Sequence, residues 1–177
     1  MSLSVVIATT VEDPAFGPVR IRVDGDEGVA EVTGHGLPRA VLRRALKTAP
    51  RTSVPIGTRD AAALALTVGG APAGLSLGKG RFTRRSYAVE AAYEGHAYRL
   101  VPRGETFSRL SLDGTVLGDF TSPGHGRPGR ATWKPRAKAL PRDAAIGYVL
   151  TAAFGTGAKP LSDGLAEAGG SVFDIFS

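Results

Sequence analysis

The segment Ala144-Ala145-Ile146-Gly147-Tyr148-Val149-Leu150-Thr151-Ala152-Ala153-Phe154 constrains this chain more than any other stretch. Only Tyr148 and Thr151 bring polar side-chain atoms to it. A helix that is apolar on every face must be covered by protein or by lipid. At about 1.5 Å per residue it would reach only about 17 Å, well short of a bilayer core of about 30 Å. The segment therefore reads as a core helix that the rest of the chain surrounds. Pro141 and Asp143 suit its first turn, and Gly155 and Gly157 suit its end.

What precedes it is written mostly in strands. Leu3–Thr9 is apolar and β-branched, and Val19–Val23 alternates strictly, with Arg20 and Arg22 on its polar face. The turn Asp24-Gly25-Asp26-Glu27-Gly28 leads into a returning strand, Val29–Thr33. Leu37–Ala49 breaks this rhythm: Leu37, Val41 and Ala45 fall on one side at helical spacing, and Arg39, Arg43, Arg44 and Lys47 on the other. That spacing predicts an amphipathic basic helix, docked on a sheet or laid on a membrane surface. From Ala62 the strand–turn–strand pattern resumes, with strands at 62–68, 74–77, 86–94, 97–101, 107–112, 115–120 and 131–134. Asp113-Gly114 is the strongest hairpin signal, because a type I′ turn needs positive φ at both central residues.

The expected fold is thus mainly β: about ten antiparallel strands in a barrel-like sheet around a C-terminal hydrophobic helix, plus one amphipathic helix. Closing such a sheet removes exposed strand edges. A two-sheet sandwich with the helix at one end, or an open sheet with both helices on one face, would also accommodate the pattern. One domain spanning 1–158 and a C-terminal tail over 159–177 is the expected organisation, and 177 residues are ample for one hydrophobic core. The 24 glycines and 12 prolines fit a chain of many turns. With no cysteine, disulfides, thiolate metal sites and cysteine nucleophiles are excluded. Met1–Thr10 has no basic n-region and only a short apolar run, so a cytoplasmic location is expected, peripheral to membrane if the basic surface binds there.

This order of elements resembles the tubby-like fold, shared by tubby C-terminal domains, phospholipid scramblases and the LURP-one-related family. The likeness is carried by the strand meander of Tyr87–Phe120 and by hairpins such as Tyr98-Arg99-Leu100 and Leu112-Asp113-Gly114-Thr115-Val116-Leu117-Gly118. The near-terminal helix entered through Leu140-Pro141-Arg142-Asp143 completes it. The resemblance is one of pattern, covers about two-thirds of the chain and transfers no site residue, since no family motif aligns to particular positions. It implies a barrel threaded by the 143–154 helix and an interaction with anionic lipid headgroups, as tubby domains bind phosphoinositides. The chain departs from the pattern in the residues that follow the helix, ending Ser171-Val172-Phe173-Asp174-Ile175-Phe176-Ser177.

No catalytic signature accompanies the fold. His35, His96 and His125 each neighbour a glycine, and none stands at metal-ligand spacing from another, so turn or surface roles are expected. Gly78-Lys79-Gly80 and Gly155-Thr156-Gly157 extend to neither a phosphate-binding loop nor a dinucleotide fingerprint. Glu90 and Glu94 share the solvent face of a strand. The reading is a non-enzymatic binding domain with no cofactor and no metal.

Its net charge of +6 is concentrated: residues 61–142 hold 13 basic and 5 acidic side chains, whereas 143–177 hold 1 and 4. Two stretches carry most of this excess. Lys79-Gly80-Arg81-Phe82-Thr83-Arg84-Arg85 gathers four cations around one aromatic, and guanidinium clusters match phosphate groups bidentately. Pro123–Arg142 carries Arg127, Arg130, Lys134, Arg136, Lys138 and Arg142 with Trp133 among them and no acid. Cations interleaved with an aromatic are what a single-stranded nucleic-acid groove uses. The leading candidates for ligand contact are therefore Lys79, Arg81, Arg84, Arg85, Arg130, Trp133, Lys134 and Arg136. Anionic phospholipid or a protein partner bound through the basic face is the first expectation. Nucleic acid bound through 123–142 is the second, and protein interaction through the acidic, aromatic C-terminal tail is the third.

Overall fold

The computed structural model describes residues 6–50, 54–80, 83–124 and 127–158. Eleven strands follow one another in a single antiparallel meander, each pairing with its sequence neighbour. They are β1 (Val6–Asp13), β2 (Gly17–Asp24), β3 (Val29–Gly34), β4 (Ala40–Arg44), β5 (Leu64–Val68) and β6 (Ala71–Leu77). β7 (Val89–Tyr93), β8 (His96–Pro102), β9 (Phe107–Leu112), β10 (Thr115–Thr121) and β11 (Arg130–Trp133) complete the sheet. A 14-residue helix, α1 (Pro141–Phe154), follows. The sheet curls into a nearly closed barrel. Its alternation is clear in β2, where Val19, Ile21 and Val23 are buried and Arg20 and Arg22 are exposed. At the β9–β10 turn, Asp113 and Gly114 both have positive φ, 48° and 85°, as the dipeptide predicts.

α1 occupies the barrel centre, and every residue from Asp143 to Phe154 is buried. It packs on β2, β3, β4 and β5. On the opposite side, Gly147 lets the helix approach so closely that a Cβ there would collide with the Phe120 ring and with Leu110. Each fully buried Ile, Leu or Val on such a helix contributes about 1.5–3 kcal/mol of transfer free energy. Two carboxylates tie α1 to the wall. Asp143 accepts hydrogen bonds from the Tyr98 hydroxyl at 2.6 Å and the Leu140 amide at 2.7 Å. Asp13 accepts from the Tyr148 hydroxyl at 2.6 Å, from Trp133 Nε1 at 3.0 Å and from the amides of Ala15 and Phe16. Since Asp13 lies on β1 and Trp133 on β11, this one side chain links the two ends of the meander to the helix between them.

One expected element is absent. Leu37–Ala49 does not form an amphipathic helix; its centre is β4, hydrogen-bonded between β3 and β5. Ala40, Leu42 and Arg44 turn inward, and Leu46, which a helical stripe would have buried, is 96% exposed. The helical spacing was misleading because Val41, on the outer face, is also buried, and because a charged residue, Arg44, holds an inward position. Arg44 is stable there because its guanidinium donates to the backbone carbonyls of Gly25, Asp26 and Ile56. The ten predicted strands are present, with shifted ends; the first begins its described part at Val6 and extends to Asp13, and the one expected over 86–94, β7, starts only at Val89, after a 3-10 turn over Arg84–Tyr87.

Candidate functional site

Residues 79–80 and 83–85 lie at the tip of the β6–β7 hairpin, extended past the regular ladder by backbone bonds from Gly78 to Ala88 (2.9 Å) and from Gly80 to Ser86 (2.8 Å). This tip stands at the end of the barrel where α1 finishes and β8 turns into β9. The 3-10 turn Arg84–Tyr87 packs against β8. On β8, alternation sends Leu100 and Pro102 into the barrel and leaves Arg99, Val101 and Arg103 outside. Arg84, Arg85, Arg99 and Arg103 consequently line one shallow groove on the outer wall, with Val101 and Pro102 as its floor. Glu90 lies 3.3 Å from Arg99 Nε. Arg84 also donates from Nε to the Ala158 carbonyl at 3.2 Å. Four guanidinium groups along one groove make a surface that suits phosphate oxygens.

Inside the rim, on the other side of β8, lies a cavity of about 460 Å³. Val54, Val89, Leu100, Pro102 and Phe154 give it apolar walls, and Lys79 and Arg59 bring charge. The Arg59 guanidinium sits 5.4 Å from the Tyr87 ring centroid and 6.0 Å from that of Phe154. Among the described residues it makes one hydrogen bond, a long one of 3.3 Å to the Gly78 carbonyl. Its Nε is buried without a partner, and none of the ion pairs among the described residues includes it. Burial pulls its pKa below the ordinary arginine value, an effect that Tyr87 partly opposes. The nearby carboxyl end of α1 favours a cation here, by about 0.3–1 kcal/mol in typical settings.

The structure brings Lys79, Arg84 and Arg85 together at this rim; Arg81 lies outside the described residues. It does not bring the second candidate group there. Arg130 is exposed on the last strand. Trp133 donates Nε1 to Asp13 and packs edge-on against Phe16 and Phe120, so its ring serves barrel closure. Lys134 and Arg136 are exposed around a 3-10 turn at the other end of the barrel. Arg142 is bonded to Glu94 at 2.8 Å. The C-terminal tail lies outside the described residues.

Sequence reasoning missed Arg59, Arg99 and Arg103. The alternation Arg99-Leu100-Val101-Pro102-Arg103 could have placed two of them on one strand face. Arg59, a lone cation in a loop, carried no local signal. Among the described residues no helix is long and apolar enough to cross a membrane. Comparison with protein-family models, with curated proteins and with solved structures finds no match.

Proposed function

We propose that this protein is a non-enzymatic binding domain that docks on phosphate-bearing headgroups of anionic lipid through its basic rim. The observation that carries the reading is the groove that Arg84, Arg85, Arg99 and Arg103 line together. Each guanidinium offers a planar fork of donors to phosphate oxygens, and on a planar surface several can act together. Near an anionic leaflet each cation contributes about 1 kcal/mol, so four to five give useful affinity without deep insertion. We also propose that the chain belongs with the tubby-like folds it resembles; an antiparallel meander wrapped around one central apolar helix supports this, and headgroup binding is what that resemblance implies.

Co-flotation with vesicles tests the reading. The protein should float with vesicles containing phosphatidylserine or a phosphoinositide at physiological salt and remain behind with pure phosphatidylcholine. The double variant Arg84→Glu, Arg85→Glu should lose the flotation, while Arg130→Glu, Arg136→Glu should keep it. Failure to float with anionic vesicles even at low salt removes the proposal.

A further inference from the structure

We infer that the cavity inside the rim is a second, separate site, built for a small organic acid with an apolar body and a single carboxylate. The inference does not depend on the membrane reading, because the cavity faces the barrel interior and the arginine groove faces outward. Its size, about 460 Å³, lies in the range of small-molecule sites. Its inner walls are buried: Val89 is 1% exposed, Leu100 2% and Phe154 8%. Apolar surface of this kind gains free energy when a hydrocarbon group replaces water.

The charge arrangement selects the rest of the ligand. Among the described residues, Arg59 is a half-buried cation that forms no ion pair and one hydrogen bond, with its Nε buried without a partner. Holding an uncompensated guanidinium between two aromatic rings is costly unless an anion reaches it. At the inner wall Ser108 is held in place by accepting the Gly157 amide at 2.8 Å. A carboxylate entering the cavity can accept from the Arg59 guanidinium. Lys79, exposed at the mouth, draws the anion in. A dianionic phosphate has too few partners inside such walls, and an uncharged lipid would leave Arg59 unmatched.

Octanoate, octanol and inorganic phosphate are the probes, followed by amide chemical-shift mapping on the full chain. Octanoate should produce saturable shifts at Gly80, Ser108, Gly155 and Gly157, and neither octanol nor inorganic phosphate should do so at the same concentration. Arg59→Gln should weaken octanoate about ten- to a hundredfold, as expected for a charge-assisted contact, and Arg59→Lys should weaken it less. Arg84→Glu, Arg85→Glu should keep octanoate binding even though it is expected to lose vesicles, so the two sites fail independently. The inference is overturned if octanoate causes no saturable shift at these amides, if octanol binds as well as octanoate, or if phosphate alone occupies the site. The octanoate–octanol contrast is read on the unmodified protein, so it stands whether or not the Arg59 variants fold.

Discussion

On the β4 side of the barrel mouth, Arg44 is 7% exposed and donates to three backbone carbonyls at 2.7–3.0 Å. On the β6–β8 side, Arg59 is half-buried and donates to one, at 3.3 Å. Both leave Nε without a partner, and both stand near loops that close over the end of α1. Arg44 spends its charge on carbonyls of the 24–28 and 54–58 loops and holds those loops to the wall. Arg59 is positioned by ring faces and, among the described residues, bonds a single carbonyl. The contrast separates a cation that stabilises the fold from one that the fold holds ready for something else. It extends along the helix: Asp13 and Asp143 each accept several hydrogen bonds, whereas at the far end of α1 no ion pair among the described residues includes Arg59.

The largest effect should come from the fully bonded side. Asp13→Ala removes the acceptor shared by Tyr148, Trp133 and two turn amides, and leaves the Tyr148 hydroxyl buried. A loss of about 3 kcal/mol or more is expected in urea denaturation; a loss below 1 kcal/mol would mean that barrel closure does not depend on this carboxylate. The two arginines then provide the direct comparison. Arg44→Met should cost about 2 kcal/mol because three carbonyls lose their donors. Arg59→Met should fall within about 0.5 kcal/mol of the parent or be stabilising, since it removes a poorly compensated buried charge. Equal losses at the two positions would abolish the distinction.

The smallest effect is an alkaline one. Burial, reinforced by the carboxylates of Asp143 and Asp13, pushes the Tyr98 and Tyr148 hydroxyls above the ordinary tyrosine value of 10.0. Their folded pKa values are raised, so this stability is complete below about pH 10 and is lost as pH rises from there towards the folded values. Denaturation midpoints measured from pH 9 to 11 should begin to fall near pH 10, with a slope of up to one proton per tyrosine. Tyr98→Phe, Tyr148→Phe should flatten that fall while lowering the starting stability; an unchanged slope would show that these hydroxyls are not the groups responsible.

Ten strands and the central helix were legible from the chain because each declares itself locally. Period-two alternation, Asp-Gly and Glu-Gly turns, and an eleven-residue apolar run report burial without reference to any partner. β4 was illegible for the opposite reason. Its inward arginine and its buried outer valine spoil the alternation, and only pairing with β3 and β5 on both edges makes the extended backbone favourable. The candidate site divides in the same way. Lys79, Arg84 and Arg85 are neighbours in the chain and were visible as a cluster. Trp133 looked like a stacking platform among cations until its contacts with Asp13, Phe16 and Phe120 assigned it to the seam between β1 and β11.

Local pattern by itself determined that this chain is mainly β strands with one wholly apolar helix, because backbone period and side-chain polarity are properties of consecutive residues. That the sheet wraps the helix was decided by the tertiary structure. The tertiary structure alone decided which cations act together. Arg99 and Arg103 reach Arg84 and Arg85 because the 3-10 turn packs on β8, and Arg59 reaches the barrel mouth because the 54–63 loop crosses the end of α1. Charge adds up by distance in space, and distances across a barrel are set by strand register and closure, which no single segment contains.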